Sequence, residues 1–390
     1  MRSWGRAGAV VGLSWLLMAC SPGHGAGSVT GTPTTSTAAT GAVWSQLPTS
    51  ALPADRITKL QHEINRWVAT GLLKGVTAAV ATPQGVWGGA AGVDARGVAL
   101  VPGSGLALGS ITKTFTAAEV MLLAERGKID LDRSASAYID LPQVSNGVTV
   151  RQLLAQRSGV AASVDAPLGD RDARWTTQKY LKYVPAAKDP PGKTFADDNT
   201  NYILLGLIIE KASGRTLADA FKTDLWGPLG LDRLAYQDAH SLPPPLAAAA
   251  PDPAASSDIK SCATAGPWLP CRALATVVGA AGAVAGDAEA VAHWGYDLYG
   301  SRVLRKKSVE QMTDFPDDAP YGLGTIDFSA GYFARWNIDA VGHIGSMLGY
   351  QTVMAVFRDA HVSVAILTPS GTEPLPYVQY LVKAGGLTQP

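Results

Sequence analysis

Ser110 and Lys113 stand three residues apart in "LALGSITKTFTAAEVMLLAERGKIDLD". A hydroxyl and an amine at that spacing share one helical face, so the amine can reach the hydroxyl. A serine alcohol becomes a useful nucleophile only when a neighbouring group takes its proton. The pattern alone is weak, because Ser257 and Lys260 in "ASSDIKSC" repeat it. What separates the two copies is their surroundings. After Ser110, the apolar residues Ile111, Phe115, Ala118, Met121 and Leu122 recur at helical intervals until Gly127, which predicts a helix beginning at Gly109-Ser110. The N–H groups of its first turn have no intrahelical partner and stabilise negative charge on Ser110 or its adduct. The second copy lies within or just after "SLPPPLAAAAPDPAASSD" (241–258), a low-complexity loop without a helix to hold its geometry. For Ser110 and Lys113 the plain alternative is a helix N-cap beside a solvated side chain.

Other elements must bring a carbonyl and its polarising groups to this helix start. "ADRITKLQHEINRWVATGLL" places Ile57, Leu60, Ile64, Trp67, Val68 and Leu72 at helical spacing. The glycine-bounded "GVTAAVATPQGVWGGAAGV" reads as a hairpin. Near the other end, "YQTVMAVFRDAHVSVAILTPSG" offers two apolar strands joined near Asp359-Ala360, and "EPLPYVQYLVKAG" a closing helix. Strands at both ends with helical patterns between them predict one α/β sheet completed by both termini, with a mainly helical insertion.

The chain of 390 residues carries no formal net charge and 16% charged residues. No basic stripe points to nucleic acid. At the N-terminus, "MRSWGRAGAVVGLSWLLMAC" has two arginines and an apolar run from Ala9 to Met18, too short to span a bilayer comfortably and fitting an export signal. "LMAC" resembles a bacterial lipobox, which implies cleavage after residue 19 and a lipid anchor on Cys20; an ordinary signal peptide cut nearby is the alternative. Residues 21–48 are rich in Gly, Ser, Thr and Pro and read as a flexible tether, leaving 49–390 as the folded domain. Outside the cytoplasm, Cys262 and Cys271 in "CATAGPWLPC" are expected to form a disulfide. No CxxC or HExxH occurs, so neither metal nor other cofactor is called for.

"GSITKTFTAAEVMLLAERGKIDLDRSASAYIDLP" resembles the first motif of the serine β-lactamase-related family, which includes class C β-lactamases, D-alanyl-D-alanine carboxypeptidases and related esterases. The likeness continues in order through "VTVRQLLAQRSGV", "PPGKTFADDNTNYILLGLIIEKASGRTLADAF", "WGPLGL", "GAAGAVAGDAEAVAHW", "YGLGTIDF" and "GHIGSMLGYQTVMAVF". It implies the β-lactamase/penicillin-binding-protein-like fold, with the sheet drawn from about 55–108 and 318–390 and the helical part from about 109–317. It also implies that Ser110 is the nucleophile and Lys113 its partner. The second motif of the family, Tyr-x-Asn or Ser-x-Asn, falls on "FADDNTNYILLG", so that Asn199 matches the asparagine that contacts substrate amide and lysine, and Asp197 stands where the tyrosine belongs. The third motif falls on "HIG": His343 and Gly345 match, while Ile344 replaces a hydroxyl residue. By the same likeness, the N–H groups of Ser110 and Ser346 form the oxyanion hole. The implied substrates are cell-wall peptides, β-lactams or esters.

Asp197 alters the chemistry. A lysine amine is a base only when neutral, and neutralising one near pH 7 costs about 4 kcal/mol. A helix N-terminus supplies only ~0.3–1 kcal/mol of that, whereas a carboxylate at about 4 Å opposes it by ~1–4 kcal/mol. Lys113 is therefore expected to stay protonated, with Asp197 as the base or only its salt-bridge partner. Ile344 weakens recognition of a substrate carboxylate and suits an apolar acyl group. Two readings follow: a serine hydrolase acting through an acyl-enzyme, or a catalytically weakened ligand-binding protein of the cell envelope.

Overall fold

In this computed structural model the described residues are 43–160, 173–187, 189–237, 246–250, 272–329, 332–333 and 338–387. Cys20, Ser257, Lys260, Cys262 and Cys271 lie outside them, and with them the lipidation, the second Ser-Lys pair and the disulfide.

The first helix, α1 (Ala54–Ala69), buries Leu60, Ile64 and Trp67 along one face. Leu72, expected on that face, falls beyond the helix and is exposed, because the chain turns at Gly71 with φ +74°. The hairpin follows as β1 (Gly75–Thr82) and β2 (Gly85–Gly92). After the short β3 (Leu106–Ala107), a 3-10 turn over Gly109–Ile111 runs into α2 (Thr112–Glu125). The middle of the chain supplies α3 (Val150–Leu154), α4 (Asn199–Ser213), β4 (Ala235–Tyr236), β5 (Val284–Gly286) and α5 (Ala288–Tyr299). The last part gives β6 (Ile326–Asp327), β7 (Ala340–Met347), β8 (Tyr350–Phe357), β9 (Val362–Thr368) and α6 (Leu375–Gly385).

The main sheet has the order β2-β1-β9-β8-β7-β6 and is antiparallel throughout. β1 pairs with β9, Val80 opposite Val364, so both chain ends do complete one sheet. β1 and β9 are buried along their whole length, which explains their near-continuous apolar runs: both faces are covered. One face meets α1 and α6 in a core that holds Trp67, Val80, Val364 and Leu381. The other packs on α5, with Ala79, Ala365, Val291 and Trp294 in a larger core that extends to Phe115 of α2. Within the mainly helical insertion, β4 and β5 pair, and with β3 just before it they form a small three-stranded sheet.

Residues 43–48, expected as the end of the tether, lie against the domain instead. Trp44 is buried, its N–H donates to the Gly300 carbonyl at 3.0 Å, and its ring stacks on His361 at 4.5 Å. One indole with that much area to bury outweighs the composition around it. No helix among the described residues is long and apolar enough to cross a membrane.

Candidate active site

Ser110 sits in the 3-10 turn where the chain leaves β3 and enters α2. Two contacts fix that turn. The Leu108 N–H donates to Val284 O on β5 at 2.9 Å, and the Val284 N–H donates to Thr112 Oγ1 at 3.0 Å. Below them α2 is buried on nearly every side, Lys113 included, as a helix inside a large domain should be. The expected exposed alternative for Lys113 is therefore excluded: its side chain is only 2% exposed, and its ammonium lies 5.8 Å from the centre of the Tyr202 ring.

The buried ammonium has two partners. Lys113 Nζ donates to Ser110 Oγ at 3.2 Å and to Asp197 Oδ1 at 3.1 Å. Ser110 is half-buried, and the Asp197 side chain keeps 34% of its surface, so the three groups stand at the floor of a site open to solvent. Burial favours the neutral acid at Asp197, but the Lys113 ammonium outweighs it and holds the carboxyl below the usual carboxylate range.

An amide outside the expected motifs holds the Asp197 loop. Gln156 follows α3, is fully buried, and has φ +58°. Its Nε2 donates to Asp197 Oδ1 at 2.6 Å, while Oε1 accepts from the Asp198 N–H at 3.2 Å and from Asn201 Nδ2 at 2.5 Å. Asn201 is steadied in turn by Ser158, whose hydroxyl donates to Oδ1 at 2.5 Å. Asp198 caps α4 by accepting from the Thr200 N–H at 2.7 Å. Asn199 opens that helix half-buried, and its side chain makes no hydrogen bond to Lys113 among the described residues. The motif position is filled, but the lysine contact that the resemblance implied is made by Asp197.

The third stretch arrives on β7. Its hairpin with β8 closes through Leu348 and Gly349, both at positive φ (+47° and +89°), with Met347 opposite Tyr350. Such a tight turn makes that pair hydrogen-bonded, and pairs then alternate. Ser346, opposite Gln351, therefore turns its N–H away from β8. It faces the start of α2: Gly109 has φ +54°, and a Cβ there would come within 2.8 Å of Ser346 N. Gly345 permits the same approach, since a Cβ would come within 2.0 Å of Leu108 O. The Ser346 hydroxyl is held apart, accepting from Gln351 Nε2 at 2.9 Å. The Ser346 main chain thus lies close against the turn that carries Ser110.

His343 faces inward from β7 and is buried. Its Nδ1 lies 2.6 Å from Ile344 O, so the proton belongs on Nδ1, and Nε2 lies 3.3 Å from Tyr321 Oη. Burial, and then the Lys113 charge, push this imidazole down to about 4; it is uncharged at neutral pH. Tyr321 also meets Tyr202 Oη at 3.3 Å, and Tyr202 donates to Leu154 O at 2.9 Å. Ile344 is half-buried and packs, like Phe195, on the core beneath α1. The sequence reading missed Gln156, Asn201, Tyr202 and Tyr321, although all four lie inside the stretches that carried the resemblance.

Two cavities lie elsewhere: about 440 Å³ beside Asp130, Asp132 and Arg151, and about 320 Å³ beside Trp87, Arg233 and His293. Neither includes Ser110. Among the described residues no group of three or more His, Cys, Asp or Glu converges as metal ligands.

Comparison with known proteins adds to this geometry. Among curated proteins the chain is similar to penicillin-binding protein 4 of Amycolatopsis lactamdurans, 32% identical over 146 residues, covering 35% of this chain and 37% of that protein. The likeness thus spans little more than a third of that relative's length. Among solved structures it is similar to a D-stereospecific amidohydrolase from Streptomyces sp., with a TM-score of 0.67 and 25% identity, covering 84% of this chain and 98% of the other. It is also similar to the D-amino acid amidase of Ochrobactrum anthropi SV3 complexed with D-phenylalanine, with a TM-score of 0.71 and 21% identity over 85% and 98% of the two chains; that likeness shows the fold alone. The family model described as Beta-lactamase matches residues 61–382. That match takes in α2, the Asp197 loop and β7, the three stretches that meet at Ser110, and the chain belongs to the Beta-lactamase family.

Proposed function

We propose that the protein is a serine hydrolase that works through an acyl-enzyme on Ser110. The observation that carries this reading is the bridge of Lys113 Nζ between Ser110 Oγ at 3.2 Å and Asp197 Oδ1 at 3.1 Å. Lys113 hands a proton to Asp197 as it takes the proton of Ser110, so the lysine stays an ammonium and the carboxylate becomes the neutral acid. Ser110 Oγ attacks the acyl carbon, and the oxyanion forms between the N–H groups of Ser110 and Ser346, each such donor worth on the order of 3 kcal/mol. The leaving group departs with the proton returned through Lys113. Water then attacks the ester, giving its proton to the same pair, and Ser110 is regenerated.

Charge favours substrates without a carboxylate. Among the described residues, Lys113 is balanced by Asp197, His343 is uncharged at neutral pH, and Arg157, beside Gln156, is paired with Asp318. Ile344 adds an apolar wall where the family commonly has a hydroxyl. Simple amides and esters suit this site better than β-lactams or peptides ending in D-alanine, and the neighbour named as a D-stereospecific amidohydrolase supports amides. Export and a lipid anchor on Cys20, supported by "LMAC", place the reaction in the cell envelope.

The test is intact-mass measurement after incubation with a fluorophosphonate, followed by hydrolysis of an ester and amide panel. One adduct on the wild type and none on Ser110→Ala is expected. An equal adduct on both would end the reading. The second reading, a ligand-binding protein of low turnover, is favoured by one observation: the Lys113 ammonium that holds Asp197 ionised also makes it a weak base. It predicts ligand-dependent thermal stabilisation without acylation.

A further inference from the structure

Gln156 is bound to the Asp197 loop through every polar group it can offer there. Its carbonyl accepts from the Ala196 N–H at 2.8 Å, its Oε1 accepts from the Asp198 N–H at 3.2 Å and Asn201 Nδ2 at 2.5 Å, and its Nε2 donates to Asp197 Oδ1 at 2.6 Å. The amide cannot be turned over. A main-chain N–H only donates, so the atom opposite Asp198 N must be oxygen and the atom opposite Asp197 must be nitrogen. Ser158 fixes the next link, because its oxygen accepts from the Val160 N–H at 3.0 Å and its hydroxyl donates to Asn201 Oδ1 at 2.5 Å.

The cost of this arrangement is visible in the backbone. Gln156 adopts φ +58°, a region that residues other than glycine seldom occupy, and it does so with its side chain fully buried. A strained residue of that kind persists where its surroundings over-determine it. Two donors, Gln156 Nε2 and Lys113 Nζ, meet on one oxygen of Asp197. Its other oxygen, Oδ2, has no hydrogen bond among the described residues, and the side chain is 34% exposed.

We propose that Gln156 is the positioning residue of this site: it fixes which oxygen of Asp197 meets Lys113 and leaves the other facing the open cleft. The inference rests on the hydrolase reading for its consequence, since Gln156 touches neither Ser110 nor substrate and acts through Asp197. The charged and titratable groups around that carboxylate are Lys113 on α2, His343 on β7, the phenols of Tyr202 and Tyr321, and the neighbouring Asp198. Removing a donor from a carboxylate makes it easier to protonate. Removing this one also frees the carboxylate to turn away from Lys113, and misplacement of about 1 Å costs up to ~100-fold in rate.

Two variants test the role, read by pre-steady-state acylation with a p-nitrophenyl ester from pH 4 to 9. Gln156→Ala should lower the plateau rate tenfold or more, with little change in KM, and move the acid limb to higher pH. Gln156→Glu keeps the shape, so it serves even if the alanine variant does not fold. It should be impaired at neutral pH and partly recover as pH falls, because the protonated acid can again donate to Asp197; the alanine variant should not recover. A purely structural role predicts lower stability with a profile of wild-type shape, and a plateau equal to or above wild type in both variants overturns the proposal. A second readout does not need turnover. In protein labelled with 13C at aspartate carboxyls, and assigned with Asp197→Asn, the Asp197 titration should move up in Gln156→Ala. A wild type that never acylates removes the hydrolase reading, whereas an unmoved titration removes the role of Gln156.

Discussion

Lys113 and Asp197 form an ion pair at 3.1 Å in which the lysine is 2% exposed and the aspartate 34%. The buried ammonium depends on that carboxylate for its charge balance, and in the proposed reaction the carboxylate also takes up the proton that Lys113 releases when it accepts the one from Ser110. Structure and chemistry therefore fail together when the pair is broken.

Asp197→Asn keeps the shape and removes the acceptor. Acylation should fall by ~10²–10⁴. Stability should fall as well, because an uncompensated buried charge is costly; with Asp197 partly in water, about 1–3 kcal/mol is expected. Stopped-flow acylation and urea unfolding read the two effects. Asp197→Tyr separates the two functional readings. A many-fold gain in acylation marks the natural aspartate as an impairment, whereas loss of activity marks it as the base.

Gly109→Ala should disable the oxyanion hole without touching a catalytic side chain. The new methyl meets Ser346 N within 2.8 Å at φ +54°, so either the first turn of α2 or the edge of β7 must move. Loss of one aligned donor costs on the order of 10²–10³ in kcat. Gly127→Ala is the matched control, since φ there is +69° but nothing lies within 4 Å: strain without a clash. Gly109→Ala should acylate slowly and Gly127→Ala normally, with both losing some thermal stability.

Ile344→Thr restores the hydroxyl that the third motif of the family carries while keeping the β-branched shape that strands favour. The half-buried side chain packs with Phe195 on the core below, so loss of apolar burial should cost only about 1 kcal/mol. The rate of acylation by benzylpenicillin, relative to a p-nitrophenyl ester, should rise roughly tenfold if recognition of a substrate carboxylate is limited by that missing donor. An unchanged ratio would show that the rejection of carboxylates arises elsewhere.

The parts of the site legible in the sequence are those whose signal is local. Ser110 and Lys113 announce themselves by helical periodicity over the next turns, and the hairpins at both ends by apolar runs between turn residues. Asp197, His343, Gly345 and Ser346 are placed by likeness to a motif order, which carries position but not contacts; hence the expected Lys113–Asp197 pair forms, while among the described residues the contact from Asn199 to the lysine does not. Gln156 gives no signal, because glutamine is common on surfaces and its partner Asp197 lies 41 residues away. Its positive φ is invisible in a residue other than glycine. Trp44 was lost to the tether for a related reason, since composition averages over a segment and burial is decided by one indole.

Two buried groups off the catalytic path give the pH dependence of stability opposing slopes. Glu119 on α2 is fully buried beside Asp224, and burial followed by the Asp224 charge raises it from 4.5 to about 8. Across that interval the unfolded chain has released a proton that the folded state keeps, so Glu119 makes stability fall as pH rises. His343 runs the other way: burial lowers it from 6.5 to about 4, so the unfolded chain holds the extra proton and stability rises with pH over that window. The two contributions offset each other below about 6.5, and only that of Glu119 continues to about 8. Glu119→Gln, which cannot ionise, should therefore gain on wild type between pH 5 and pH 8 by on the order of 2–4 kcal/mol in urea unfolding. His343→Asn should turn the nearly level stretch below pH 6.5 into a fall that continues above it. Parallel stability curves for wild type and Glu119→Gln would mean that Glu119 is ionised in the folded protein, with a cation at the α2–Asp224 contact supplying its charge balance.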